Sequence, residues 1–146
     1  MFNDQAGEAM EFYTSVFPNA SIVSAMPGPD GSIVGGTFDL EGQRFSCYNA
    51  GPHPSFAFSQ GISLMIRAET QDEVDHYYDR LSEGGEEQAC GWVTDKFGVS
   101  WQITPPILMQ MLSDPDREKA GRVMQAMLKM KKIIIADLEA AAAGEN

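Results

Sequence analysis

Apolar positions recur at helical spacing in three stretches of the chain and alternate with polar ones between them. Over residues 5–17, Ala9, Phe12, Tyr13, Val16 and Phe17 share one helical face, and Pro18 closes the pattern. Three strand-like runs follow. Residues 20–26 lead into a Pro29-Asp30-Gly31 turn, residues 32–40 into the two-residue connection Glu41-Gly42, and residues 43–49 complete an antiparallel meander. The pair Gly35-Gly36 predicts a bulge in the middle run. After the loop Gly51-Pro52-His53-Pro54, residues 61–68 read as a strand. Thr70 and Glu73 form a capping box for a helix from Gln71 to about Glu83, with Val74, Tyr77, Tyr78 and Leu81 on its apolar face and Gly84-Gly85 at its end. Residues 88–94 and 99–104 read as strands joined tightly at Asp95-Lys96-Phe97-Gly98, and Pro105-Pro106 stops the second.

The last stretch is helical. Asp114 as cap and Pro115 at the first helical position start one helix, with Ala120, Val123, Met124, Met127 and Lys131 on a stripe. A second, short helix carries Ile134, Leu138, Ala141 and Ala142 up to Gly144.

The pattern repeats. A shift of 65 residues lays Ala9, Phe12, Tyr13 and Val16 over Val74, Tyr77, Tyr78 and Leu81. Each helix leads into strands with a glycine turn and an aromatic, Gly42-Gln43-Arg44-Phe45 and Gly98-Val99-Ser100-Trp101. A helix followed by an antiparallel meander, used twice, predicts an α+β fold in which two such units close into a cupped mixed sheet with a cleft inside. The expected organisation is one domain, 1–146, with a first module at 1–57, a second at 58–106 and a helical tail at 107–146.

The chain resembles the PhnB-like family (3-demethylubiquinone-9 3-methyltransferase-like) of the glyoxalase/bleomycin-resistance/vicinal-oxygen-chelate superfamily. The residues that carry the resemblance are Phe2-Asn3-Asp4-Gln5-Ala6-Gly7-Glu8-Ala9 with Phe12-Tyr13, Gly42-Gln43-Arg44-Phe45, Asn49-Ala50-Gly51-Pro52 and Thr70-Gln71-Asp72-Glu73-Val74-Asp75. Cys90-Gly91-Trp92, Phe97-Gly98-Val99-Ser100-Trp101-Gln102-Ile103 and Arg122-Val123-Met124-Gln125-Ala126-Met127-Leu128 are the most specific stretches, so the resemblance extends through the tail. It implies tandem βαβββ modules, with the first strand short or missing because the chain opens almost at its first helix.

Active members of that superfamily hold one divalent metal with His and Glu side chains from the sheet interior, and the metal acts as a Lewis acid on two substrate oxygens. The resemblance places the ligand positions at Ser63, at Gln102, near Ser46, and on the first strand. Serine and glutamine are poor ligands for such a metal, so no metal and no cofactor are expected. The family label fares no better, because Pro27-Gly28-Pro29-Asp30-Gly31 joins two antiparallel runs and opens no helix, unlike the glycine-rich turn of S-adenosylmethionine enzymes. Strand alternation puts Ser100, Gln102 and Thr104 on one face and buries Trp101 and Ile103. Ser63, Met65 and Arg67 share the corresponding face of their strand, and Ser46 and Tyr48 are their counterparts in the first module. The expectation is a metal-free protein that binds a small organic ligand on Ser46, Tyr48, Ser63, Met65, Arg67, Ser100 and Gln102. The alternatives are a metal-dependent glyoxalase- or dioxygenase-type enzyme and a 3-demethylubiquinone 3-methyltransferase, so whether the chain is an enzyme stays open.

Charge and composition narrow the partners. Residues 1–113 carry four basic and 15 acidic side chains and hold the whole net charge of −11, while residues 114–146 carry six of each sign. An acidic body disfavours nucleic acid. No apolar run is long enough to span a membrane, and no basic stretch followed by an apolar one opens the chain, so a secretory signal is not expected. Cys47 and Cys90 form no metal-binding spacing and read as small buried hydrophobes, which with the missing signal predicts a cytoplasmic protein. His76 falls on a solvated helix face and His53 between two prolines. The methionine-rich tail and the unpaired edge left by a missing first strand predict a homodimer.

Overall fold

The computed structural model describes residues 1–145. The chain divides into two compact units, Met1–Phe58 and the remainder from Ser59 onward. The first contains α1 (Ala6–Val16), β1 (Ala20–Pro27), β2 (Ile33–Leu40), β3 (Gln43–Tyr48) and a 3-10 turn at Pro54–Phe56. Its sheet runs β1-β2-β3. The first strand exists as a single parallel bridge between Phe2 and Asn49, beside β3. Phe2 N donates to Tyr48 O at 2.8 Å and Ala50 N to Phe2 O at 2.7 Å. Asn49 also begins the helix. No side chain of the preceding segment caps α1, and Ala6 N donates to Asn49 Oδ1 at 2.8 Å. Ala9, Met10, Tyr13 and Val16 bury the inner face of α1.

The β2–β3 turn follows the expected chemistry, with Glu41 (φ 48°) and Gly42 (φ 82°) both left-handed. The bulge does not fall at Gly35-Gly36. Register shifts occur between Ile22 and Ser24 and between Met26 and Pro27, while both glycines pair regularly with β3. The glycines answer a different need, close approach. A Cβ on Gly36 would meet Ser24 O and the Met10 thioether, and one on Gly35 would lie 2.8 Å from Cys47 O.

The second unit contains β4 (Leu64–Arg67), α2 (Gln71–Ser82), β5 (Glu86–Glu87), β6 (Trp92–Thr94), β7 (Ser100–Thr104), α3 (Pro106–Leu112), α4 (Arg117–Met127) and α5 (Ile135–Ala143). Its sheet order is β4-β7-β6-β5, with β4 and β7 parallel and the other pairs antiparallel. The first unit runs bridge, β3, β2, β1 in the same sense, so the repeat is a repeat of topology. The fold is α+β, built of tandem βαβββ modules with the first strand reduced to one bridge. In each unit the helix covers one side of the sheet. Val74, Tyr77, Tyr78 and Leu81 of α2 are buried, as are Ile66, Val93, Trp101 and Ile103 of the strands.

Two details depart from the sequence reading. The run 88–94 is broken, because Cys90 (φ 58°) and Gly91 (φ 81°) turn the chain between β5 and β6. The prolines do stop the strand, β7 ending at Thr104, and Pro106 then opens α3, where a missing N–H costs nothing. The cap of α4 is Asp116 and not Asp114, its Oδ1 accepting from Glu118 N at 3.0 Å and Lys119 N at 3.1 Å. Asp114 instead pairs with Lys119 at 2.7 Å.

The tail packs on its own unit. Residues 130–135 lie against α2 and the β5–β6 turn. Cys90 N donates to Met130 O at 2.8 Å and Gly91 N to Lys131 O at 2.7 Å. The Gln71 amide grips this strap on both sides, donating to Ile133 O at 3.1 Å and accepting from Ile135 N at 2.8 Å. Lys132 pairs with Asp79 at 2.8 Å and with Asp75 at 3.3 Å.

Candidate functional site

The side of the second sheet away from α2 carries the polar residues. Pairing of Met65 with Gln102 and of Arg67 with Thr104 fixes neighbours on that face, and Trp92 with Gln102 and Thr94 with Ser100 extend it onto β6. Ser63, one residue before β4, meets Gln102 directly: Gln102 Nε2 donates to Ser63 Oγ at 2.8 Å. Both are half-buried. Met65, paired with Gln102 across the strands, is 60% exposed, an apolar side chain open to solvent beside a polar pair. Arg67 is exposed and its Nε bonds Glu69 Oε1 at 2.7 Å, so its charge is locally answered. Ser100 is 3% exposed. Its hydroxyl and that of its cross-strand neighbour Thr94 are buried without a hydrogen-bond partner.

In the first unit Ser46 and Tyr48 point to one side of β3, both exposed, with the buried Cys47 on the other side. Burial pushes the Cys47 thiol above its ordinary pKa. Thus Ser63, Met65, Arg67, Ser100 and Gln102 come together on one sheet face, and Ser46 and Tyr48 occupy the equivalent face of the other sheet. His76 is exposed. His53 caps the 3-10 turn, its Nδ1 accepting from Ser55 N at 3.2 Å.

The sequence reading missed Asp95, the other chemically notable side chain of this unit. It is 2% exposed. Its Oδ1 accepts from Phe97 N at 2.9 Å and Val99 N at 3.0 Å, and its Oδ2 from Trp101 Nε1 at 2.8 Å. An Asp opening a tight turn three residues before a glycine is the signal that could have found it. Its bonds hold the β6–β7 turn and the indole, so it shapes the strand that carries Gln102.

A family model described as 3-demethylubiquinone-9 3-methyltransferase matches residues 1–104. A PhnB protein from Bacillus cereus is 35% identical, covers 72% of this chain and 94% of its own, and superposes with a TM-score of 0.67. The chain belongs to the PhnB-like family. A Pseudomonas aeruginosa protein, 20% identical over 71% of this chain and 91% of its own, shares the fold with a TM-score of 0.55. No curated protein matches. The family match ends with β7, so the tail stretch Arg122–Leu128, included in the resemblance on sequence, lies outside it.

The residues of this PhnB-like chain do not fit the metal of its superfamily. Among the described residues no three His, Cys, Asp or Glu side chains gather as a metal would require. At the two positions where ligands are expected in the second module, Ser63 and Gln102 are neutral and hydrogen-bonded to each other. The glycine-containing run 27–31 is not the strand-to-helix turn that would cradle a methyl donor of the S-adenosylmethionine type, since it joins β1 to β2. Residues 28–32 form a closed hairpin turn, with Gly28 N donating to Ser32 O at 2.7 Å and Gly31 N to Gly28 O at 3.0 Å.

Proposed function

We propose that this PhnB-like protein binds a small organic molecule without a metal, on the face of the second sheet formed by Ser63, Met65, Arg67, Ser100 and Gln102. Ser46 and Tyr48 offer a similar face in the first unit. The observation that carries the reading is the Ser63–Gln102 pair at 2.8 Å beside the open Met65. Such a face combines an apolar contact with a few fixed polar groups, the usual make-up of a small-molecule site. The two free cysteines, one of them buried, suit a reducing compartment and support a cytoplasmic setting.

The test is a fragment screen read by ¹H–¹⁵N correlation spectra. Shifts concentrated on residues 63–67 and 100–104 are expected. Shifts scattered over the surface, or gathered on the tail alone, would overturn the reading.

We further propose a homodimer. Because the tail packs on its own unit, the surface that supports this is β1, an edge strand exposed almost throughout, with Ile22, Val23 and Met26 each 42% exposed or more. β1 carries no charged residue in a chain of net charge −11, so two copies meet there with the least repulsion.

A further inference from the structure

The Ser63–Gln102 pair restricts what the proposed ligand face can recognise, and this inference rests on that reading. With Nε2 donating to Ser63 Oγ, the pair still presents outward the Gln102 carbonyl as acceptor, and the Ser63 hydroxyl proton and second Nε2 proton as donors. A reversed amide, accepting from the hydroxyl, presents two N–H donors and the Ser63 lone pairs. Neither side chain has another hydrogen bond within the described chain. In both orientations the pair therefore offers donors together with an acceptor, the Gln102 carbonyl or the Ser63 lone pairs, and carries no charge.

Three features weigh against an anionic or chelating ligand. A carboxylate brings only acceptors, so it leaves the pair's own acceptor, the Gln102 carbonyl or in the reversed amide the Ser63 lone pairs, without a donor. The cation on this face, Arg67, already holds Glu69 at 2.7 Å. The body that carries the face, residues 1–113, holds the chain's entire negative excess of 11 charges. Two neighbouring bare oxygens, the group a metal would chelate, share the carboxylate's defect, since they occupy donors only and leave the pair's acceptor unmatched.

We infer that the group seated on Ser63 and Gln102 is a neutral one that both donates and accepts a hydrogen bond, such as a carboxamide, a lactam or a hydroxyl, with its apolar remainder on Met65. Where the superfamily reads two oxygens through a metal, this chain reads a donor next to an acceptor through an amide and a hydroxyl.

The experiment compares benzamide, benzoate and acetophenone, which share a ring and differ only in this group. Each is titrated into the full chain, and dissociation constants are taken from the amide resonances of residues 63–65 and 100–104. Benzamide is expected to bind about tenfold more tightly than either of the others, the effect of one matched polar contact. In Gln102→Leu the three probes should converge. Ser63→Ala gives a second variant should the first fail to fold, with the benzamide advantage reduced. Benzoate or acetophenone binding these residues as tightly as benzamide would overturn the inference and leave the binding face standing. No perturbation of these residues by any probe at millimolar concentration would overturn the binding face, and the inference with it.

Discussion

Asp95 shows how one side chain can organise the strand that bears a site. Its carboxylate gathers two backbone N–H groups and the Trp101 indole in a nearly dry place. Removing it takes away three hydrogen bonds to a charged acceptor, each worth about 1–3 kcal/mol. Asp95→Ala should therefore lower stability by about 3 kcal/mol or more in urea titration, and Asp95→Asn by less, because an amide oxygen still accepts. Trp101, 2% exposed, should cost about 3–5 kcal/mol on replacement by alanine; an unchanged melting temperature would contradict its place in the core. Burial of Trp101 and Ile103 was legible in the sequence from alternation along one strand. The role of Asp95 was not, since its partners are backbone groups and an indole that only the folded turn brings within reach. Asn49, which joins the first strand to the start of α1, was hidden for the same reason.

At the scale of elements, α1, α2 and the first meander were legible because each has a strong period and unambiguous turn residues. The broken strand at Cys90-Gly91 was not. An apolar run looked continuous, while the backbone turns there to receive the tail. Gly91 is the tightest point: its φ is 81°, and a Cβ would lie 2.8 Å from Ile103 O and 3.0 Å from Ile133 Cγ1. Gly91→Ala should destabilise the second unit by about 1 kcal/mol or more, measured by denaturation, through strain and contact together. The strap at 130–135 also depends on pH. Asp75 is held below its ordinary pKa of 3.8, first by the Gln71 amide and then by Lys132. Its contribution is present above pH 3.8 and is lost as pH falls through its depressed value. Lys132 is opposed by partial burial, but hydrogen bonds to Asp79 and Asp75 outweigh that and raise its pKa above 10.5. Its contribution is complete below pH 10.5 and is lost as pH rises through the raised value. Hydrogen exchange at Ile135 N and Gly91 N should thus show highest protection between these limits, and Gln71→Ala should lower it within them. Protection unchanged by Gln71→Ala would show that the amide does not hold the strap.

For the whole molecule, the repeat read from four matched helix positions proves to be a repeat of strand order and direction. That much was legible because helix faces and hairpin turns are local. The tail's destination was not: its methionines look like an interface, while its attachment depends on Gln71 and Lys132, polar groups with no pattern. The proposed homodimer predicts light scattering at micromolar concentration of about twice 16.0 kDa, kept after the exposed tail residues Met124 and Leu128 are made polar and lost in Val23→Lys. A monomer mass in the native protein would refute it. The most direct test of the central claim, ligand binding on a neutral sheet face without metal, is a titration of benzamide into chelator-treated protein, followed at residues 63–67 and 100–104, with and without added zinc or nickel. The predicted result is binding to these residues with the same dissociation constant in both cases. Binding there that appears only once the metal is added would contradict it.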